Sequence, residues 1–253
     1  MLTGDEQIKK TVIRDLFRQR RIARHVMKNG WQFDFHGVKV SLPENIDLAI
    51  HNALIQGKYE AEEAKLISRY LPKNKPVLEL GGSLGVVSCL IGSLLEETVL
   101  HVIVEANPAL IEVCSQNVGR PSSEVICKAI SYNGATALFD VKSNPHASML
   151  SGATSENSKA IEVEATTLSA LWQGMGAPEG YTLISDIEGA EVEMVVHDAE
   201  TLSHAGLIII ELHPHLHADS LQVVDRINNT LVQAGFFLLE KTAEVYVWLK
   251  RDV

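Results

Sequence analysis

At 253 residues with 46% hydrophobic content, the chain can bury a substantial core, and one α/β domain with an N-terminal addition fits better than two independent domains. A formal charge of −10 argues against a generally basic, nucleic-acid-coating surface. The absence of any apolar run of about eighteen residues, and of an apolar N-terminal segment, argues against a membrane span and a secretory leader, so the expected location is cytoplasmic.

The first twenty-eight residues hold eight Lys or Arg (Lys9, Lys10, Arg14, Arg18, Arg20, Arg21, Arg24, Lys28) against three acids, Asp5, Glu6 and Asp15. Ile8, Val12, Leu16, Phe17, Ala23 and Met27 recur there at helical spacing, which predicts an amphipathic helix with a basic outer face. A solvated face on a helix packed over the catalytic domain is one reading; docking on a membrane or nucleic acid is the competing one. Trp31 to Phe35 and Val38 to Leu42 flank His36-Gly37 and predict a β-hairpin. Helical spacing returns from Leu48 to Gln56 and from Glu60 to Tyr70, and Pro72 closes the segment. Residues 1–56 read as an extension and 57–253 as the catalytic domain.

From Pro76 onward strands and helices alternate: strand 77–80, helix about 85–95, strand 100–105, helix 108–118 and strand 124–130. Thr136 to Val141 reads as a strand and Asn144 to Asn157 as a polar loop, a candidate lid in which His146 and Ser148 are placed to touch cofactor or substrate. A strand near Ile161 to Ala165, a helix near Leu168 to Gln173, the apolar run Tyr181 to Asp186, a further helix and the strand Leu207 to Glu211 follow. The helix Ser220 to Ala234 ends at Gly235, a C-cap residue. Phe236 to Glu240 and Val245 to Lys250 are joined by so few residues that they must pair antiparallel. The whole predicts a doubly wound, mainly parallel seven-stranded sheet with an antiparallel C-terminal hairpin. Cys89, Cys114 and Cys127 are odd in number and far apart within apolar elements, as reduced core thiols are.

The most informative stretch is Val77-Leu78-Glu79-Leu80-Gly81-Gly82-Ser83-Leu84-Gly85, followed by Val102-Ile103-Val104-Glu105. Each half is an apolar strand ending in a carboxylate, and the glycine turn after the first lets the backbone approach a ligand. Glu105 stands near the spacing at which an acid meets ribose hydroxyls. A dinucleotide fingerprint would need glycines where Ser83 and Val86 stand, which places a nicotinamide dehydrogenase last among the readings. An acid, one residue and glycines at 81, 82 and 85 resemble instead the first motif of S-adenosylmethionine-dependent methyltransferases. That cofactor carries no phosphate, and its cationic groups are tolerated near carboxylates. The terminal hairpin likewise resembles the reversed seventh strand of methyltransferase sheets. A tight turn without a ligand is the plain alternative for the glycines alone.

Ligands in such sheets lie beyond the carboxyl ends of the strands. The polar residues there are Glu79, Glu105, the segment Asp186-Ile187-Glu188-Gly189-Ala190-Glu191, and Glu211-Leu212-His213-Pro214-His215. Together with Gly57-Lys58-Tyr59-Glu60, Glu105-Ala106-Asn107-Pro108, Asn117, Ala129-Ile130-Ser131 and Thr167-Leu168, these resemble the FkbM family of methyltransferases over roughly residues 57–215. The resemblance implies S-adenosylmethionine as cofactor, held by Glu79, Gly81, Gly82, Ser83, Gly85, Glu105, Ala106, Asn107, Ala129, Ile130 and Ser131. It also implies methylation of a hydroxyl on a sugar or small natural product. Two departures are Gly82-Ser83-Leu84 where the family usually has Ala-Asn-Ile, and Ser185 where a lysine commonly precedes the Asp.

Asp186 and His213 are the candidate catalytic residues, the first as a hydrogen-bond acceptor that orients a hydroxyl and the second as a base tuned near neutral pH. Glu188 and Glu211 are candidate substrate contacts. A divalent-metal site at Asp186, Glu211 and His213 is a competing use of the same strand ends, although no tight ligand spacing appears. Pro214 places the histidine alternation 213, 215, 217 in a loop. Methylation of an amine and a non-catalytic cofactor-binding or docking module are the remaining alternatives. The partner expected is a small-molecule or glycosidic hydroxyl acceptor, without nucleic acid.

Overall fold

A computed structural model describes residues 4–141, 149–150, 159–217 and 219–251. His146, Ser148 and all of the polar stretch 144–157 except Met149 and Leu150 lie outside the described residues. The chain forms two compact units, Met1–Ala61 and Glu62–Val253.

The first unit contains helix α1 (Gly4–Asn29), strands β1 (Gln32–Phe35) and β2 (Val38–Ser41) and helix α2 (Leu48–Ile55). The two strands pair antiparallel around His36 and Gly37, both in the left-handed region at φ 47° and 90°. That is the geometry a two-residue hairpin turn demands. Phe33, Phe35 and Val40 are buried on one face of the hairpin, as period-2 alternation requires. Ile22 of α1 is buried, His25 stacks on Phe33, and Arg21 donates to Asn52 Oδ1 at 2.5 Å. Asp47 caps α2 by accepting from Ala49 N at 2.6 Å.

The second unit begins with α3 (Ala61–Tyr70, its first residue at the boundary), β3 (Val77–Leu80), α4 (Val86–Leu94), β4 (His101–Glu105), α5 (Ile111–Val118) and β5 (Ser123–Cys127). After a side sheet come α6 (Leu168–Gly174), β10 (Tyr181–Ser185), α7 (Glu191–His197), α8 (Ala199–Ser203), β11 (Ala205–Glu211), α9 (Ser220–Gln233), β12 (Phe236–Thr242) and β13 (Val245–Lys250). The main sheet has seven strands in the order β12-β13-β11-β10-β3-β4-β5. Its members from β11 to β5 are parallel, while β13 runs antiparallel to both β11 and β12. This is the expected doubly wound sheet with its reversed strand. Leu78, Leu80, Val104, Leu183, Ile208, Ile210 and Trp248 join residues of α6, α7 and α9 in one core. Glu79, one residue out of phase, points to the opposite face and meets Ser88 of α4.

Two expectations are corrected. The run 124–130 is not a single strand: the chain leaves the main sheet at Lys128, whose N–H is held by the Glu105 carbonyl at 3.2 Å. The next two residues form β6 (Ala129–Ile130), which belongs to a separate four-stranded sheet with β7 (Thr136–Val141), β8 (Met149–Leu150) and β9 (Lys159–Thr166). Ala129, Phe139 and Val163 bury a small core of their own there, which an unbroken apolar run does not distinguish from continuation of the first sheet. The helix expected from 108 starts at Ile111, because Asn107 Oδ1 accepts from Ala109 N at 3.1 Å and holds the entry in a side-chain turn. Among the described residues no helix is long and apolar enough to cross a membrane.

The glycines of the β3–α4 turn are packing requirements. A Cβ on Gly81 would lie 1.8 Å from the carbonyl oxygen of Asp186, at a φ of 93°. One on Gly82 would lie 2.3 Å from Ile103 Cγ2, and one on Gly85 2.7 Å from the Cys114 carbonyl oxygen. The Gly81→Ala variant is therefore expected to lose on the order of 3 kcal/mol of stability from overpacking and backbone strain together. Urea unfolding checks this; Gly174→Ala, where a Cβ meets nothing within 4 Å, is the control expected to unfold like the parent.

Candidate active site

The carboxyl ends of β3, β4 and β6 carry one half of the site. Glu105, buried at the end of β4, accepts from Ser83 N at 2.7 Å through one oxygen and from Asn107 N at 2.6 Å through the other. The carboxylate thus clamps the glycine turn to the strand exit. Burial raises its pKa, against the lowering effect of the amides of Asn107, Ser83 and Ala106. Three amides against about four lone-pair sites leave the carboxylate capacity for one ligand hydroxyl. Beside it Asn107 is buried, and its Nδ2 has no hydrogen-bond partner among the described residues, a donor that a ligand would satisfy. Ser83 adopts the left-handed conformation at φ 47°, where an asparagine is the better tolerated side chain.

Ala129, Ile130 and Ser131 are buried, and Ser131 Oγ accepts from Asn133 N at 3.4 Å. Ala106 is half-buried against the small core of Ala129, Phe139 and Val163. Glu79 has a different setting. One of its oxygens accepts from Ser88 Oγ at 2.7 Å, and the other lies 2.7 Å from Nε2 of the fully buried His101. Both oxygens of Glu79 therefore have protein partners under the turn. His101 carries no motif in the sequence; its place at the start of the strand beside β3 is what brings it to Glu79.

The exits of β10 and β11 carry the other half. Asp186 follows β10 directly, its N–H held by the Leu80 carbonyl at 2.9 Å. The next turn contains Glu188 and Gly189, both in the left-handed region at φ 51° and 107°. Glu191, the first residue of α7 and 1% exposed, holds that turn by accepting from Ile187 N at 3.2 Å and Gly189 N at 2.9 Å. The same carboxylate lies 3.1 Å from His213 Nδ1, beyond the end of β11. An ionised carboxylate only accepts, so Nδ1 carries the proton and the neutral ring presents the lone pair of Nε2. That Nε2 lies 3.6 Å from Asp186 Oδ1 and 3.8 Å from Glu188 Oε2.

Burial acts to lower the pKa of His213, but the hydrogen bond and charge of Glu191, with the charges of Glu188 and Glu211, outweigh it and leave the imidazole above its usual 6.5. Glu211 is pushed up, first by burial and also by Glu188, Glu191 and Glu244, with His213 opposing. Asp186, Glu188 and His213 bring one ligand atom each within 4.8 Å of one another, a spacing a divalent cation can bridge. Glu211 is not part of that trio. Sequence reasoning placed Asp186, Glu188, Glu211 and His213 but gave no role to Glu191. Its signal was present as the third carboxylate of Asp-Ile-Glu-Gly-Ala-Glu, one residue into a helix. Ser185 is fully buried in β10, so this departure from the family pattern lies in the sheet interior.

No curated protein matches the sequence. Among solved structures, a methyltransferase from Pyrococcus furiosus is 13% identical, with 92% of this chain and 98% of that one covered at a TM-score of 0.46. Fibrillarin from Aeropyrum pernix, solved with natively bound S-adenosyl-L-methionine, is also 13% identical, with 74% and 72% covered at a TM-score of 0.45. The model of the methyltransferase FkbM domain matches residues 88–249, from α4 through β13. That match takes in both acidic strand exits and the reversed strand, well over half of the sequence. The chain belongs to the FkbM family of methyltransferases, with S-adenosylmethionine as its methyl donor.

Proposed function

We propose that the protein methylates a hydroxyl group on a sugar or other small natural product, with residues 57–253 as the catalytic domain and 1–56 as an appended element. The observation that carries this reading is the Glu191–His213 pair, which aims an imidazole lone pair at the space between Asp186 and Glu188. S-adenosylmethionine, when bound, supplies a methyl group activated by its sulfonium.

What the chain adds is positioning of the acceptor and a destination for its proton. Glu105, Asn107 and the turn at Gly81, Gly82, Ser83 and Gly85 would hold the donor, with Ala106, Ala129, Ile130 and Ser131 as further contacts and Glu79 fixing the turn from below. Asp186 and Glu188 would orient an acceptor hydroxyl by accepting from it, Glu211 would line the acceptor, and His213 Nε2 would take the proton. An amine acceptor is disfavoured by the same carboxylates, which stabilise the ammonium form and so withhold its lone pair.

Calorimetry with S-adenosylmethionine and S-adenosylhomocysteine, followed by turnover across hydroxyl and amine acceptors, tests the proposal; turnover confined to amines would overturn it. Glu105→Gln puts an NH2 group against a backbone N–H and is expected to weaken S-adenosylhomocysteine binding at least about tenfold. His213→Gln is expected to lower kcat by about 10²-fold, the lower end for loss of a general base, with cofactor affinity unchanged.

The base must be neutral to act, so kcat should rise with pH along a limb centred above 6.5. Removing the Glu191 charge in Glu191→Gln removes a contribution that raises this pKa and should move the limb to lower pH. A pH–rate profile reads the shift, with urea unfolding of the variant as the control for loop integrity. Turnover should survive dialysis against a chelator. Its loss, with recovery on adding magnesium or manganese, would assign Asp186, Glu188 and His213 to a cation instead.

A further inference from the structure

Helix α1 carries an apolar face that nothing covers among the described residues. Val12, Ile13, Leu16 and Phe17 are each more than half exposed, and Met27 is 88% exposed. At 100° per residue these side chains share an arc of about 140°. Arg20, Arg24 and Lys28 continue along the same side toward the C-terminal end of the helix. The acid within residues 12–28 is Asp15, which lies off that arc and is engaged by Arg18 at 3.1 Å and Arg14 at 3.8 Å. The opposite side of the helix packs, through Ile22 and His25, onto the hairpin and α2. Between Val12 and Lys28 the exposed side is therefore apolar over residues 12–17 and cationic over residues 20–28, with no acid on that arc.

We propose that this face of α1 docks on an anionic lipid bilayer surface, independently of the reaction proposed above. Charge complementarity names the occupant: the arginines match lipid headgroups, and the adjacent Val12, Ile13, Leu16 and Phe17 match the acyl boundary beneath them. A nucleic acid would neutralise the arginines and leave four aliphatic and aromatic side chains in water. A second copy of the helix is opposed by repulsion in one orientation and by desolvation of arginine in the other. Parallel pairing sets arginine on arginine, and antiparallel pairing sets arginine on the apolar turns. The formal charge of −10 repels the chain as a whole from any polyanion, so the apolar contact is what selects a bilayer.

Flotation of the full chain with vesicles tests the proposal, using phosphatidylcholine alone and phosphatidylcholine with about 30 mol% phosphatidylserine. The chain is expected to float with the anionic vesicles, not with the neutral ones, and to be released by about 0.5 M salt. The paired variants Leu16→Glu/Phe17→Glu and Arg20→Glu/Arg24→Glu should each weaken partition at least about tenfold. All four side chains are exposed, so circular dichroism and cofactor binding should match the parent. No flotation of the parent with anionic vesicles, or flotation unaffected by either pair, overturns the proposal. So does a dimer in light scattering that Leu16→Glu/Phe17→Glu dissolves, or RNA binding that survives that pair.

Discussion

The close approach of Gly81 to the main chain of Asp186 is the constraint on which the rest of the site depends. A side chain at residue 81 would occupy the position of the Asp186 carbonyl oxygen, so the two strand exits meet only because one of them has none. The contact joins the turn that would hold the donor to the turn that bears the acceptor-side acids. It is backed by the hydrogen bond from Asp186 N to Leu80 O, which continues the pairing of β10 with β3. The relative position of the two turns is thereby set by sheet register and not by loop packing.

Each half then uses the same physical device. A buried carboxylate at a strand or helix end accepts two main-chain N–H groups and fixes the turn between them. Glu105 does this for Ser83 and Asn107, and Glu191 for Ile187 and Gly189. Amide donors compensate the loss of water around each carboxylate, which otherwise makes a buried acid costly. The two differ in what else they reach. Glu105 keeps acceptor capacity for a ligand, whereas Glu191 spends its remaining capacity on His213 Nδ1 and so settles the tautomer of the candidate base.

Much of this was legible in the sequence, because periodicity and turn chemistry report local geometry. The apolar runs ending in Glu79, Glu105, Asp186 and Glu211 marked the strands, and the short link between Thr242 and Val245 forced the antiparallel hairpin. The glycine spacing located the turn, though not why Gly82 is glycine, since that depends on Ile103 in a neighbouring strand. Contacts between elements were out of reach for the same reason. Neither the hold of His101 on Glu79 nor that of Glu191 on His213 follows from spacing along the chain. The break at Lys128 was invisible because the residues on either side of it, Val125 to Cys127 and Ala129 to Ile130, are alike in being apolar while belonging to different sheets.

The position of β13 between β11 and β12 has a consequence for biosynthesis. Strand β11 ends in Glu211 and leads to His213, yet its outer edge is closed by residues 245–250, which are made later than β11 itself and after the whole of α9 and β12. A nascent chain can pair β3, β4, β5 and β10 early, while β11 keeps one open edge of unpaired N–H and C=O groups. The exit of β11 that leads to His213, like strand β12, thus gains its full pairing only once residues 245–250 have been made. Until then the N–H and C=O groups along that edge of β11 are left to solvent.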